Sequence, residues 1–100
     1  MTLEQFKASL AQAKLPDLSP PLLGLWYDAR GDWHRAHQIV QDDPSAASAW
    51  VHAYLHRKEG DISNAHYWYR RAGKPPYTGS LESEWEQIAR ALLEAGSATQ

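Results

Sequence analysis

Apolar residues recur along this chain at intervals of three and four, never in strict alternation, which is the spacing of helices that each bury one face. Leu3, Phe6 and Leu10 share a stripe behind Thr2 and Gln5, a capping-box pair, and Pro16 stops that helix. Ser19 before Pro20 opens a second helix, which runs through the apolar residues 22–27 and closes at Gly31. Asp32 caps a third, with Trp33, Ala36 and Val40 on one face. Asp43-Pro44-Ser45 breaks the chain, because the residue before a proline avoids helical angles. A fourth helix is predicted from Ala46 to Glu59, stopping at Gly60, and a fifth from Asp61 to the neighbourhood of Gly73. The proline-dense loop 74–79 follows. Ser80 then caps a last helix with Leu81, Trp85, Ile88 and Leu92 in phase, and residues 96–100 read as a disordered tail. The pattern predicts an all-α fold of about six short helices in a single domain, residues 1–95.

An internal repeat sharpens this. Gly31-Asp32-Trp33-His34-Arg35-Ala36-His37 aligns with Gly60-Asp61-Ile62-Ser63-Asn64-Ala65-His66 at an offset of 29 residues. Each unit, about 20–43 and 46–73, reads as helix, Gly-Asp turn, helix. The glycine supplies a left-handed helix end, the aspartate caps the next helix, and the small residue at 36 or 65 lets two helices approach.

Leu23, Gly24, Tyr27, Gly31, Trp33 and Ala36 in the first unit, with Ala53, Gly60, Ala65, Tyr69 and Ala72 in the second, resemble the tetratricopeptide (TPR) family of helical hairpins. The resemblance covers residues 20–76. The period of 29 departs from the family's usual ~34, and His52 and His56 stand where the pattern prefers Leu and Tyr. It implies a right-handed stack of two hairpins with a capping helix at each end, whose inner helices line a concave groove. It would place Trp50, Tyr54 and Arg57 toward that groove and Lys58 at its edge. The family's carboxylate-binding groove uses Lys and Asn where Trp50 and Tyr54 stand, so that specificity is not implied. Residues 49–73 are also similar to small bacterial proteins, a likeness that brings no function with it.

Composition adds one oddity to an ordinary 43% apolar, 22% charged chain: five Trp and five Tyr against one Phe. Trp33, Tyr69 and Tyr27 read as fillers between helices. Tyr67-Trp68-Tyr69 cannot all be, since three consecutive residues span about 200° of a helix. If Ile62, Ala65, Tyr69 and Ala72 face the core, Tyr67 points outward, and Trp68 sits at the boundary near Trp85. The fourth helix carries apolar side chains on both faces, so it should be sandwiched. Trp50 and Tyr54 are equally consistent with core positions and with the groove.

His52 and His56 are spaced i, i+4, and His34 and His37 i, i+3, compatible with paired ligands on one helix face. His37, His52, His56 and His66 are brought together by the repeat. The spacing lacks a metalloprotease glutamate, and hydrogen-bonded histidines are the expectation, with no metal or other cofactor. Arg57, Lys58, Arg70, Arg71 and Lys74 concentrate positive charge mid-chain, against a net charge of −2. That balance argues against nucleic acid or an anionic membrane as partner. No nucleophile elbow, phosphate loop or dinucleotide fingerprint occurs, so no enzyme is expected. The absence of cysteine and of a signal sequence fits a cytoplasmic protein. The reading is a non-enzymatic interaction module that binds a peptide or protein segment through Trp50, Tyr54, Arg57, Lys58 and Tyr67, with homodimerisation through the same aromatics as a further option. The alternative is a small-molecule or metal-binding protein using the Trp/Tyr/His cluster around helix 46–59.

Overall fold

Two turns of one design hold the centre of the molecule. In each, a glycine takes a left-handed angle that other residues rarely adopt, φ 85° at Gly31 and 91° at Gly60. The next amide turns back on the helix just ended: Asp32 N donates to Tyr27 O and Asp61 N to His56 O, both at 2.9 Å. The aspartate side chains then accept from Arg35 N and Asn64 N, which would otherwise lack a partner at a helix start. Every member of one turn is 29 residues from its counterpart, so the sequence repeat is a repeat of backbone hydrogen bonds. The pattern starts a third time at Gly73, where Lys74 N donates to Tyr69 O, but two prolines follow and no helix does.

The computed structural model describes residues 1–12 and 17–98, which form six helices and no strand. They are α1 (Leu3–Ser9), α2 (Pro20–Ala29), α3 (Trp33–Gln41), α4 (Ala46–Glu59), α5 (Ile62–Ala72) and α6 (Leu81–Ala98). The all-α class is as the sequence predicts. The Thr2–Gln5 capping box forms, and Ser45 and Ser80 accept from Ser48 N and Ser83 N. The expected stop at Pro16 lies outside the described residues. The expected tail lies partly outside them too, since α6 is described as far as Ala98.

α2 packs on α3 and α4 on α5, as two hairpins. Helix α4 is central: residues 48–56 are all buried, against α2, α3, α5 and α6. This is what apolar side chains on both of its faces require. Helix α6 lies across α2 and α4, and α1 packs on α6 in turn. Trp85 fixes that crossing: it stacks on Phe6 at 5.5 Å and donates to Leu25 O at 3.0 Å, while Ile88 and Ala89 are wholly buried. Helix α5 packs its length on α4 alone and reaches α6 only through the Tyr69 hydroxyl at Glu84, so its far side is open among the described residues.

That open side corrects two expectations. Ile62 does not face the core but is 50% exposed, because it is the first residue of α5 and lies beyond the end of α4. Trp68 does not meet Trp85; it stacks on His52 at 3.9 Å. Within the first hairpin α2 and α3 approach so closely at Gly24 that an added Cβ would stand 2.7 Å from Val40 Cγ1, on a β-branched side chain that turns only with difficulty. Gly24→Ala should therefore lower stability by about 1–3 kcal/mol, read as the midpoint of urea unfolding. An unchanged midpoint would show that Val40 yields without strain.

Candidate functional site

Helix α4 carries four of the five residues expected to meet a partner, and α6 covers the face that holds them. Tyr54 is 3% exposed. Its hydroxyl donates to Asp28 Oδ2 at 2.9 Å, and Asp28 Oδ1 accepts from Lys58 Nζ at 3.0 Å. Burial, and then the Asp28 carboxylate, push the Tyr54 hydroxyl well above the usual phenol range, so it stays a donor. One turn on, Arg57 donates through Nη1 to Glu84 Oε1 at 3.0 Å and through Nη2 to Gly79 O, with its guanidinium over the Tyr77 ring. The other Glu84 oxygen accepts from Tyr69. Burial raises the Glu84 carboxyl above its ordinary value, opposed by the Tyr69 hydrogen bond and the Arg57 charge. Trp50 is 8% exposed, and Lys74 Nζ sits 4.3 Å above its ring.

The open aromatic groove is therefore closed by the chain's own last helix. Trp50 and Tyr54 are core residues, and Arg57 and Lys58 are engaged by buried carboxylates. Clefts lie along α6, among them two that border α4. One, of about 390 Å³, lies between Trp50, Lys74, Tyr77 and Gln87. The other, of about 440 Å³, lies between Leu10, Tyr54, Lys58, Leu81 and Trp85.

Asp28 and Glu84 are what the sequence reading misses. Helical phase carries the signal: Asp28 is i+4 from Gly24 and i+3 from Leu25, and Glu84 is i−4 from Ile88, so each acid stands on the face that its apolar neighbours bury.

Tyr67 points outward as its phase predicts, 42% exposed. Arg71 Nη1 donates to the Tyr67 hydroxyl at 3.1 Å, and its guanidinium also lies 5.3 Å from the Trp68 ring. Among the described residues Arg70, Arg71 and Lys74 form no salt bridge. The mid-chain positive charge thus divides into two internal cations, Arg57 and Lys58, and three free ones at the end of α5.

Three of the four histidines expected together are together. His37 from α3 and His52 from α4 meet through their Nε2 atoms at 2.9 Å, and the rings of both lie within 5.0 Å of His56. His66 is not among them: it is exposed on the uncovered side of α5. Trp33 stacks on His37 at 4.9 Å and Trp68 on His52, closing the cluster with aromatic faces. His56 Nδ1 stands 3.4 Å from Glu59 Oε1. Burial, then the neighbouring His37 and His56, push His52 down to about 3, and burial also lowers His37. His52 Nδ1 is buried with no hydrogen-bond partner among the described residues. Of the two tautomers, the one donating Nε2–H to His37 leaves a bare lone pair at Nδ1 rather than a stranded N–H.

A raised carboxyl value means that the folded chain takes up the Glu84 proton more readily than the unfolded chain does. Its contribution is favourable below the unfolded value of 4.5 and is lost as pH rises through the higher folded one. Relative to Glu84→Gln, the wild type should therefore lose stability as pH rises above about 4.5, measured by urea unfolding of both proteins. A pH-independent difference would contradict this. Asp28→Ala, which strips Tyr54 and Lys58 of their acceptor, should cost about 3 kcal/mol in the same assay. No protein-family model matches the chain, and neither a curated protein nor a solved structure matches it.

Proposed function

We propose that the chain is a non-enzymatic, TPR-like interaction module that binds an acidic segment of a protein partner at the end of α5. The repeated Gly-Asp turn and the two hairpins support the architectural part of this reading. The observation that carries the functional part is the division of the cations. Arg57 and Lys58 answer buried carboxylates of their own chain, whereas Arg70, Arg71 and Lys74 answer none among the described residues. Of these, Arg71 stands against Tyr67, the most exposed of the described Trp, Tyr and Phe side chains, on a helix whose far side no described residue covers. Arginine held over aromatic rings keeps a planar donor fork in place, which suits carboxylates. Trp50 and Tyr54 then act indirectly: Trp50 supports Lys74 from below, and Tyr54 holds α2 to α4. Among the described residues no helix is long and apolar enough to cross a membrane.

The test is capture of proteins from native lysate on the immobilised chain, comparing wild type with the pair Tyr67→Ala, Arg71→Ala and with Gln38→Ala on α3. The double variant should retain at least tenfold less of any specific partner, and wild-type capture should weaken as salt rises. Equal capture by the double variant overturns the proposed surface. Capture abolished by ribonuclease would replace a protein partner with RNA.

A further inference from the structure

We infer that His37, His52 and His56 form a binding site for one divalent transition-metal ion of the Zn²⁺ class. Each ring offers one nitrogen, and the three nitrogens lie within 4.8 Å of one another. Zinc bound to three imidazoles at about 2.0–2.1 Å holds its ligand nitrogens roughly 3.3 Å apart, so side-chain shifts of an ångström or so complete the geometry. Two backbone elements supply the ligands. His52 and His56 stand one turn apart on α4, and His37 comes from α3, so the site staples the second hairpin to the first.

Three observations favour a ligand over a simple stack of rings. The cluster contains a buried imidazole nitrogen, His52 Nδ1, that the protein leaves unpartnered, in a molecule whose other described buried side-chain polar atoms are all paired. Such an atom costs free energy unless something else meets it. Second, the donor set is selective: imidazoles suit Zn²⁺, Ni²⁺, Cu²⁺ and Co²⁺ and not Mg²⁺ or Ca²⁺, which want oxygen. Third, an outer partner is present. Glu59 Oε1 lies 3.4 Å from His56 Nδ1, the carboxylate–histidine arrangement that orients a ligating ring, and at His56 Nε2 an ion has only the long 3.4 Å contact from Asn64 Nδ2 to displace. Glu59 is half exposed, and His37 is only half buried, so an ion has a way in beside them. Trp33 and Trp68 close the other sides.

The ion adds lone-pair bonds and breaks no covalent one. Where it displaces the His37–His52 hydrogen bond, His52 gives the bare lone pair of Nδ1 and His37 that of Nε2, and the proton on His52 Nε2 stays on its ring.

The experiment uses tag-free protein treated with a chelator and then titrated with Co²⁺, read by visible absorption, and with Zn²⁺, read by calorimetry and thermal unfolding. The wild type should take up one Co²⁺ per chain with the intense bands of a four-coordinate site, and Zn²⁺ should displace it. Saturating Zn²⁺ should raise the unfolding midpoint by several degrees, and Mg²⁺ should not. His37→Gln, at the edge of the cluster, should weaken binding by tenfold or more while the far-ultraviolet dichroism stays native. His34→Gln and His66→Gln should bind like the wild type. Absence of both heat and cobalt bands at tens of micromolar metal overturns the site, as does loss of binding on removal of His34 or His66. Neither result touches the acidic-segment surface on α5, whose assay runs without added metal.

Discussion

Enclosing α4 on every side brings its polar groups into the interior with it, and each must then find a partner on whatever element packs there. Ser48 finds Asp43, His52 finds His37 on α3, Tyr54 and Lys58 find Asp28 on α2, and Arg57 finds Glu84 on α6. The partners come from different elements, so the polar contacts do more than satisfy α4. They fix the register of α2, α3 and α6 around it, which packing of similar-sized apolar side chains alone leaves looser.

The same enclosure decides what the molecule presents to others. A two-hairpin stack has an inner face formed by its first helices and an outer face formed by its second. Here α6 occupies the inner face with Trp85, Ile88 and Ala89, and the large aromatics beneath it become core. The free surface moves to the outer helices, and on α5 it carries unpaired positive charge and an exposed tyrosine. The face left open among the described residues is thus the side of α5 turned away from α4.

The helix ends were legible because they depend on neighbours in sequence. Thr2 with Gln5, Asp32, Asp61 and Ser80 cap where local chemistry says they should, and Gly31 and Gly60 turn where the repeat places them. Facing directions were legible only where a helix is covered along its whole length. Phase sends Tyr67 outward correctly, but it also sends Ile62 inward, because periodicity does not know that α4 has already ended there. His66 fails for a related reason: it matches His37 in the repeat, yet α3 lies against α4 at that point and no described residue covers the corresponding side of α5. The candidate groove was legible as an aromatic and basic stripe, whereas its covering by α6 depends on a contact between residues 25 and 85. Pairing of Asp28 with Tyr54 and of Glu84 with Arg57 is equally long-range, and no local pattern announces it.

The chain makes its glycine turn three times and continues into a packed hairpin helix only twice. At Gly31 and Gly60 an aspartate follows and starts a new helix; at Gly73 the backbone bonds are repeated, but Lys74, Pro75 and Pro76 stand where the cap and first turn would be. Lys74, Pro75 and Pro76 thus stand where a third hairpin helix would begin. Those residues also give α6 the slack to leave the line of the stack and fold back over α2 and α4. Length control and self-covering are one device, encoded in a loop that touches neither the histidines nor the basic end of α5 except through Lys74.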